Sequence, residues 1–364
     1  MGPEATTVFL LVLIGRFVLP LFIPRYPLPA ILACLVLDGV DQTIFQSFGF
    51  DPPGYQGYDK AMDVYYLSVA YLATMRNWVS QPAFGVARFL FFYRMVGVVV
   101  FELSQLRIML LVFPNTFEYF FIAYEAVRTR WNPLRLDRRA WIGVAAAIWV
   151  FVKLPQEYWI HVAQLDLTDT MRDVPWFTPL LVVVLLVLAA VLWFVVRPRL
   201  VAPDWGWRIA ADPLPAGLDT REEWLTWFAR TRVLSVDTLE KVVMVGLLSV
   251  IYAEVLPGVD TGSLRLFVGL AVIIVINSAI SLWAANRSRS LDSLTAAFLG
   301  RVLINAALIL GTFWLSGREL GDVRWGGVLF FVLLLSLLTT MHDRYSPVRA
   351  VRRATPSVGA QADA

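Results

Sequence analysis

Apolar stretches of membrane-spanning length recur along this chain, and they limit its possible folds more than any other feature. A helix needs about 20 such residues to cross about 30 Å of hydrocarbon. With 58% hydrophobic and 16% charged residues and a mean hydropathy of +0.65, the chain has too little polar surface for a water-soluble protein. The sequence therefore predicts an all-α polytopic integral membrane protein.

The apolar windows predict about eleven transmembrane helices. Their expected ranges are 7–23, 28–47, 62–80, 84–104, 106–128, 140–162, 178–196, 239–256, 264–285, 292–316 and 323–341. Only a scant turn at 103–107 divides the fourth helix from the fifth, and Pro114 interrupts the fifth. A re-entrant half-helix is the alternative there.

Arginine residues collect in alternate loops, which predicts the orientation in the membrane. The basic side carries Arg25, Arg76, Arg128, Arg130, Arg135, Arg138, Arg139, Arg197, Arg199, Arg287, Arg289, Arg344, Arg349, Arg352 and Arg353. The opposite loops carry Asp51, Asp59, Asp166, Asp169, Asp173, Asp260, Glu319 and Asp322, with Lys60, Arg107, Arg172, Arg318 and Arg324 near them. Because cytoplasmic loops are rich in Lys and Arg, we expect the N-terminus outside and the C-terminus in the cytoplasm.

Four regions follow from this pattern. Residues 1–176 form a polar-lined transmembrane half with the candidate site, and 177–341 form an apolar half. Residues 197–236 form a cytoplasmic linker whose Thr220–Glu223 capping box starts an interfacial helix with Trp224, Trp227 and Phe228 on one face. Residues 342–364 are expected to be a basic, disordered cytoplasmic tail.

Small polar residues interrupt the apolar half. They are Asn277, Ser278, Ser281 and Asn305, with Arg301 nearby. We expect them to serve helix packing, although Arg301 could join the charged layer of the first half.

The start of the sequence and its content of basic residues bear on localisation. Glu4 and Arg16 argue against a cleavable signal peptide. Arginine greatly outnumbers lysine, which occurs only at Lys60, Lys153 and Lys241, and this is typical of a GC-rich bacterial genome. We therefore expect the bacterial cytoplasmic (inner) membrane.

Charged residues lie at one depth in five predicted helices of the first half. Counted from the outer helix ends, they come roughly 14–18 Å below the outer boundary, near the bilayer midplane. They are Arg16, Asp38, Arg94, Glu118 and Lys153. Charges inside a membrane pair with one another or face a wet cavity. We expect ion pairs between Arg16 and Asp38 and between Glu118 and Lys153.

Further polar residues lie above this layer and predict a vestibule open to the exterior. They are Asp41, Gln42, Asp63, Glu102, Asn115, Gln156, Glu157 and His161. Spacings of three and four put Asp38, Asp41 and Gln42 on one helix face. The same spacing aligns Lys153, Glu157, His161 and Gln164. From both layers, the candidate substrate- or ion-binding residues are Asp38, Asp41, Gln42, Arg94, Asn115, Glu118, Lys153, Gln156, Glu157 and His161.

Two prolines interrupt helices beside these residues. Pro114 predicts a helix restart with Asn115 as N-cap and Glu118 in the capping-box position. Pro155 is expected to break the backbone ladder beside Gln156 and Glu157. Broken helices at membrane depth recur at substrate and ion sites.

Each signal has a structural alternative. The midplane charges could form an ion-pair network that only fixes helix register, and Glu157 with His161 could be a local tether. Glu157 and His161 with Asp166 or Asp169 resemble zinc or manganese ligands, but no second histidine is near, so no metal site is predicted. The sequence indicates no cofactor.

The leading functional hypothesis is a multi-pass transporter or permease with an outward-facing charged vestibule, coupled to protons or cations. The alternatives are a membrane-embedded enzyme acting on a lipid or lipid-linked substrate at the outer leaflet, and a non-catalytic assembly partner. Expected partners are membrane lipids and a small solute, an ion or a lipid-linked substrate. Nucleic acid is not expected, because the arginines serve membrane orientation.

Overall fold

Helices make up all of the regular structure in the part of the chain that the structure describes. The structure is a computed structural model, and it describes residues 3–49, 55–163, 165, 167–215, 218, 220, 222–223, 235–255, 268–269, 271–279, 294–316 and 325–354. The predicted all-α class is confirmed for these residues.

The α-helices of the described residues are numbered in chain order. They are α1 (Pro3–Val18), α2 (Pro27–Ser47), α3 (Tyr55–Asn77), α4 (Gln81–Ser104), α5 (Ile108–Val112), α6 (Thr116–Arg128), α7 (Arg138–Ile148), α8 (Leu154–Glu157), α9 (Leu167–Asp173), α10 (Phe177–Ala190), α11 (Val236–Val255), α12 (Leu294–Ser316) and α13 (Trp325–Ala354). Residues 271–279 are also helical.

Three of the described helices are long and apolar enough to cross a membrane, judged by length and composition. They are Pro27–Ser47, Gln81–Ser104 and Phe177–Arg199. Two shorter apolar helices, Thr6–Phe22 and Ala297–Ala307, accompany them. These segments indicate a membrane protein. The total of about eleven spans expected from the sequence remains a prediction.

The region predicted as a fifth helix, 106–128, is divided in two. Gln105 adopts a left-handed conformation (φ 56°) and caps α4. The five-residue α5 then ends before Pro114, and α6 restarts at Thr116 after the N-cap Asn115. At about 1.5 Å per residue, neither α5 nor α6 alone spans a bilayer. The predicted restart at Pro114 is therefore confirmed.

The predicted break at Pro155 is wrong. Residues 138–162 form one continuous helical rod. Two π-helical turns, Trp149–Lys153 and Tyr158–Val162, flank the α-helical turn Leu154–Glu157 that contains the proline. A π turn changes which carbonyl each amide reaches, so the helix accommodates the missing proline N–H without breaking.

Helix α3 lies at the centre of the core. From Ala61 to Met75, every residue except Asp63 is buried. Aromatic rings pack around it, with Tyr71 stacked on Phe91 at 4.3 Å between ring centroids. Such stacks add stability beyond the apolar area that they bury. By contrast, none of the side chains of 177–199 is buried, as expected of a helix surrounded by lipid.

The basic loops meet at one end of the bundle, which we call the basic end. Arg76 donates to the Pro24 carbonyl (3.0 Å), and the Ala211 amide donates to the Arg25 carbonyl (2.8 Å). Arg128 reaches Asp212 at 3.4 Å. The linker residues 200–215 contain no regular helix and cover this end.

The Thr220 capping box is present, but the rest of the interfacial helix lies outside the described residues. The Thr220 amide donates to the Glu223 carboxylate (3.2 Å), and the Glu223 amide donates to Thr220 Oγ1 (3.3 Å). The three predicted membrane-facing aromatics, Trp224, Trp227 and Phe228, are not among the described residues.

The prediction of a disordered tail after His342 is wrong for residues 342–354, which continue α13. Arg352 donates to the Asn77 carbonyl at 2.7 Å, so the helix end packs on the basic end of α3. Asp343 pairs with Lys241 (2.8 Å) and with Arg301. Buried ion pairs fix this segment, which hydropathy alone assigned to solvent. Residues 355–364 lie outside the described residues.

The small polar residues of the apolar half join neighbouring helices, as predicted. Asn277 Nδ2 donates to Asn305 Oδ1 (2.6 Å), and Asn305 Nδ2 donates to Ser336 Oγ (2.9 Å). Ser278 accepts from Lys241 at 2.7 Å. Arg301 belongs to the Asp343 cluster rather than to the charged layer of the first half. Ser281 lies outside the described residues.

Candidate functional site

A cavity of about 660 Å³ lies among the helices of the first half. Its lining is Leu35, Asp38, Gln42, Asp59, Lys60, Asp63, Val64, Tyr66, Leu67, Arg94, Val98, Phe101, Gln105, Arg107, Leu110, Asn115, Glu118, Tyr119, Lys153, Gln156, Glu157, Ile160, His161 and Leu165. Most of these residues lie in the half of their helix that is remote from the basic end. The cavity is therefore displaced toward the opposite end of the bundle.

Arg16 of α1 binds carboxylates from two other helices. Its Nη1 lies 2.5 Å from Asp41 and 2.8 Å from Asp59, and its Nη2 lies 3.0 Å from Asp63. Nη2 also bonds Asp38. The Arg16 side chain is 3% exposed, so the network is largely withdrawn from solvent. The predicted Arg16 to Asp38 pair is thus present within a larger network.

Sequence spacing explains how this network assembles. Asp38 and Asp41 are three residues apart on α2, and Asp59 and Asp63 are four apart on α3. Each pair therefore lies on one helix face. Asp38, Asp59 and Asp63 line the cavity, and we call them the acidic wall. Asp41 is fully buried behind them.

Glu118 lies beside the cavity at the first turn of α6 and is 4% exposed. The Tyr66 hydroxyl donates to its Oε1 at 2.5 Å, and Asn115 Nδ2 donates to its Oε2 at 2.9 Å. The Asn115 backbone N–H, which a capping box would pair with Glu118, instead donates to Glu157 Oε1 at 3.2 Å. The start of α6 is therefore tied to the rod 138–162.

Glu157 also gathers two basic groups of its own rod. The Lys153 Nζ lies 3.1 Å from Oε1, and His161 Nε2 lies 3.1 Å from Oε2. Lys153 donates to Gln156 Oε1 at 2.9 Å and lies 4.9 Å from the Tyr119 ring centroid. The predicted pair between Glu118 and Lys153 is wrong. Lys153 pairs instead with Glu157, which lies one turn away on the same helix. This contact does not depend on the position of any other helix.

Side chains of α4 stabilise the interruption of the helix at Pro114. Arg94 Nη1 donates to the Phe113 carbonyl (2.9 Å), and the Tyr93 hydroxyl donates to the Val112 carbonyl (2.9 Å). Backbone carbonyls freed at membrane depth need such partners. Arg94 therefore lines the cavity and holds the broken helix in place.

Gly97 permits the close approach of this break to α4. A Cβ on Gly97 would lie 2.0 Å from Phe113 Cβ, which is fixed to the backbone. We expect Gly97→Ala to displace the α5 to α6 connection and to lower the free energy of unfolding by about 1–3 kcal/mol, as in other overpacked sites. Thermal unfolding of the purified protein in detergent measures the change.

Gly85→Ala is the matched control, because a Cβ there meets nothing within 4 Å on the same helix. It should leave the unfolding temperature unchanged or raise it slightly, since alanine favours helices. Equal unfolding temperatures for Gly97→Ala and Gly85→Ala would contradict the role assigned to Gly97.

A further ion pair lies where α3 and α4 meet the cavity. Lys60 Nζ lies 3.1 Å from Glu102 Oε1 and 4.1 Å from the Phe101 ring centroid. Arg107 and Gln105, from the turn between α4 and α5, also line the cavity. Polar groups thus surround the space on several sides.

Of the candidate residues named from the sequence, all except Asp41 line this one cavity. Their role in binding remains a prediction. Glu102 pairs with Lys60 beside the cavity, as its place in the predicted vestibule requires. Gln164 and the side chains of Asp166 and Asp169 lie outside the described residues, so the metal alternative that used these aspartates has no described geometry.

Sequence reasoning missed three charged contributors to the cavity wall. Asp59 and Lys60 were assigned to an outer loop because the third helix was predicted to begin at residue 62, and Arg107 was assigned to the turn between the fourth and fifth helices. The third helix begins at Tyr55. The positions 59, 63 and 66 follow a helical spacing, which would have placed Asp59 and Tyr66 on the face of Asp63.

The acidic wall has the geometry to hold a cationic group. One oxygen from each of Asp38, Asp59 and Asp63 lies within 4.8 Å of the others. Hard metal ions and protonated amines both favour such carboxylate oxygens. Arg16 already bonds all three aspartates, so a second cation would share them with the guanidinium.

No known family, curated protein or solved structure matches this chain. Its class therefore follows from the fold and the cavity. It is a helical protein with apolar helices long enough to cross a membrane and with a charged cavity among the helices of its first half.

Proposed function

We propose that this chain is a multi-pass permease of the bacterial inner membrane that admits a polar solute from the outside and is coupled to protons or cations. The main support for this proposal is the cavity of about 660 Å³, which is lined by carboxylates and basic groups from α2, α3, α4, α6 and the rod 138–162. Charged groups inside a membrane domain are costly, and they mark ion and substrate pathways. The volume is ample for a small organic solute.

Irregular backbone beside the cavity supports the same function. Pro114 separates α5 from α6, and π turns flank Pro155 in the opposite wall. Transporters commonly place discontinuous helices at their binding sites. Irregular segments of this kind can change conformation with less loss of hydrogen bonding than a regular helix.

The distribution of charge supports an external opening. The basic end carries Arg25, Arg76 and Arg128, while the cavity lies toward the other end. Positively charged loops favour the cytoplasmic side. In the orientation that we propose, the N-terminus and the cavity face outward.

Proton and sodium flux into proteoliposomes tests the permease, with a bacterial cell extract as the source of solutes. We expect flux above that of empty liposomes. Asp63→Asn should reduce it by roughly tenfold or more, because the variant removes a carboxylate that faces the cavity and could exchange protons or cations. Ion-sensitive dyes inside the liposomes give the rates.

Asp173→Asn is the control, since it removes an exposed carboxylate (63% exposed side chain) that does not line the cavity. Its flux should equal that of the unmodified protein. An absence of flux at every pH, or equal flux from Asp63→Asn and the unmodified protein, would exclude a coupled permease that uses this cavity.

A membrane-embedded enzyme is the second candidate, because Glu157 and His161 form a carboxylate to imidazole contact of 3.1 Å on the cavity wall. Such a pair can move a proton to or from a bound substrate. The same proteoliposomes distinguish the two functions. An enzyme that acts on lipid changes the lipid composition measured by mass spectrometry without ion flux.

A further inference from the structure

The walls of the cavity differ in their balance of charge. The acidic wall offers three carboxylates, Asp38, Asp59 and Asp63, to the single guanidinium of Arg16. Their side chains remain 25%, 33% and 28% exposed, so they are accessible from the cavity. Partly buried like charges repel one another, and a cationic group beside them would relieve this repulsion.

The cavity wall formed by α4 and the following turn has the opposite imbalance. Arg94 and Arg107 both line the cavity, and neither forms an ion pair with a carboxylate of the described residues. Arg94 uses Nη1 for the Phe113 carbonyl, which carries no full charge. We call these two arginines the basic wall. Guanidinium groups that are not directly bonded to a carboxylate bind carboxylate or phosphate groups well.

The other two carboxylates of the lining have contacts of their own. Glu118 accepts from the neutral donors Tyr66 and Asn115, and Glu157 pairs with Lys153 and His161. Both attract Arg94 electrostatically, but neither forms an ion pair with it.

One buried acceptor on the same lining remains unused. Asn115 is 7% exposed, and its Oδ1 receives no hydrogen bond. Its Nδ2 donates to Glu118, which fixes the orientation of the amide. A buried carbonyl without a donor is energetically unfavourable, so a ligand that donates a hydrogen bond there would be stabilised.

We propose that the cavity binds a zwitterionic ligand, with an ammonium group at the acidic wall and a carboxylate or phosphate at the basic wall. A ligand with both charges compensates both walls at once, whereas a simple cation or anion compensates only one. The Asn115 carbonyl accepts a further hydrogen bond from the ligand. This assignment rests on the proposed function only in naming the ligand of the same cavity.

An ammonium joined to an anionic group occurs both in free amino acids and in the headgroup of phosphatidylethanolamine. The two sources share the charges that the walls recognise. They differ in the acyl chains, which would have to leave the cavity toward lipid. The probes therefore include soluble and lipid forms.

Equilibrium binding to the purified full chain in detergent tests the proposal with four probes. Three share one carbon skeleton: 4-aminobutanoate is the zwitterion, butanoate the anion and butylamine the cation. The fourth is short-chain dihexanoyl phosphatidylethanolamine. We expect at least one zwitterion, soluble or lipid, to bind roughly tenfold more tightly than butanoate and butylamine.

Single substitutions assign each charge to its wall. Arg94→Gln should weaken binding of the preferred zwitterion by roughly tenfold and leave butylamine unchanged. Asp63→Asn should weaken the zwitterion and butylamine together and leave butanoate unchanged. This pattern separates loss of a wall from general unfolding, which would weaken all probes.

Arg88→Gln on the same helix is the matched control, because Arg88 pairs with Glu240 and does not line the cavity. It should leave the binding of the preferred zwitterion unchanged. Equal binding of both zwitterions and both single-charge probes would overturn the proposal, as would equal loss of all probes in Arg94→Gln when Arg88→Gln is normal. Binding is measured without flux, so a failed transport assay would not by itself remove it.

Discussion

Replacing Arg16 by Gln should destabilise the fold more than any other single substitution considered for this chain. The change leaves Asp38, Asp41, Asp59 and Asp63 around a neutral amide. Breaking a buried ion network by removing one partner typically costs about 3–5 kcal/mol. Thermal unfolding in detergent and the yield of folded protein measure the effect. The loss should shrink as the pH falls, because protonation of Asp59 and Asp63 weakens the repulsion within the cluster of the variant.

Arg135→Gln provides the comparison, since it breaks a pair with Asp204 in which the arginine side chain is 57% exposed. Exposed pairs contribute about 0–1 kcal/mol, so little change is expected. Adding Asp41→Asn to Arg16→Gln should recover part of the lost stability by removing one buried charge. An Arg16→Gln protein as stable as Arg135→Gln would show that the network does not hold the first three helices together.

Glu157→Leu should have the second largest effect. This carboxylate accepts from the Asn115 backbone N–H (3.2 Å) and pairs with Lys153 and His161 (3.1 Å each). Leucine leaves the amide without its acceptor and the Lys153 charge without its nearby carboxylate. We expect a loss of about 3–5 kcal/mol in the free energy of unfolding. Thermal unfolding gives the overall change.

Glu157→Gln separates the charge from the hydrogen bonds at this position. Glutamine keeps one carbonyl oxygen for the Asn115 N–H or for Lys153, so about half of the loss should return. Equal unfolding temperatures for Glu157→Leu and Glu157→Gln would show that the contacts to Asn115 and Lys153 contribute little. The comparison also tests the connection between α6 and the rod 138–162.

Most of the polar cavity lining could be predicted because polar residues are conspicuous in apolar helices. Asp38 and Gln42 share a helix face by their spacing, and Lys153, Glu157 and His161 do the same. The energetic cost of charges in lipid then turns these faces toward each other. The helix restart after Pro114 followed from the missing amide of proline.

The sequence predicted the pair of Arg16 with Asp38, but it did not predict the partners of Glu118 and Lys153. Glu118 has two neutral donors, Tyr66 and Asn115, in place of the expected Lys153. Partner choice depends on where neighbouring helices bring donors, and Tyr66 comes from α3. Spacing within one helix carries no such information.

The sequence also did not predict the ends of two helices correctly. The charges of Asp59 and Lys60 lowered the hydropathy where α3 begins, and those after His342 did the same along α13. In both places, ion pairs within the bundle compensate the charges. A hydropathy window treats each charge as if it had no partner. It therefore predicts helices that are too short wherever charges near a helix end form ion pairs.

The network around Arg16 has a consequence for biogenesis. A first helix with an unpaired arginine is costly in lipid, and its first partners, Asp38 and Asp41, arrive with α2. In the proposed topology, the translocon therefore has to retain α1 until α2 has been synthesised. The earliest unit that can enter the bilayer at low cost is then the α1 to α2 hairpin, released as one piece.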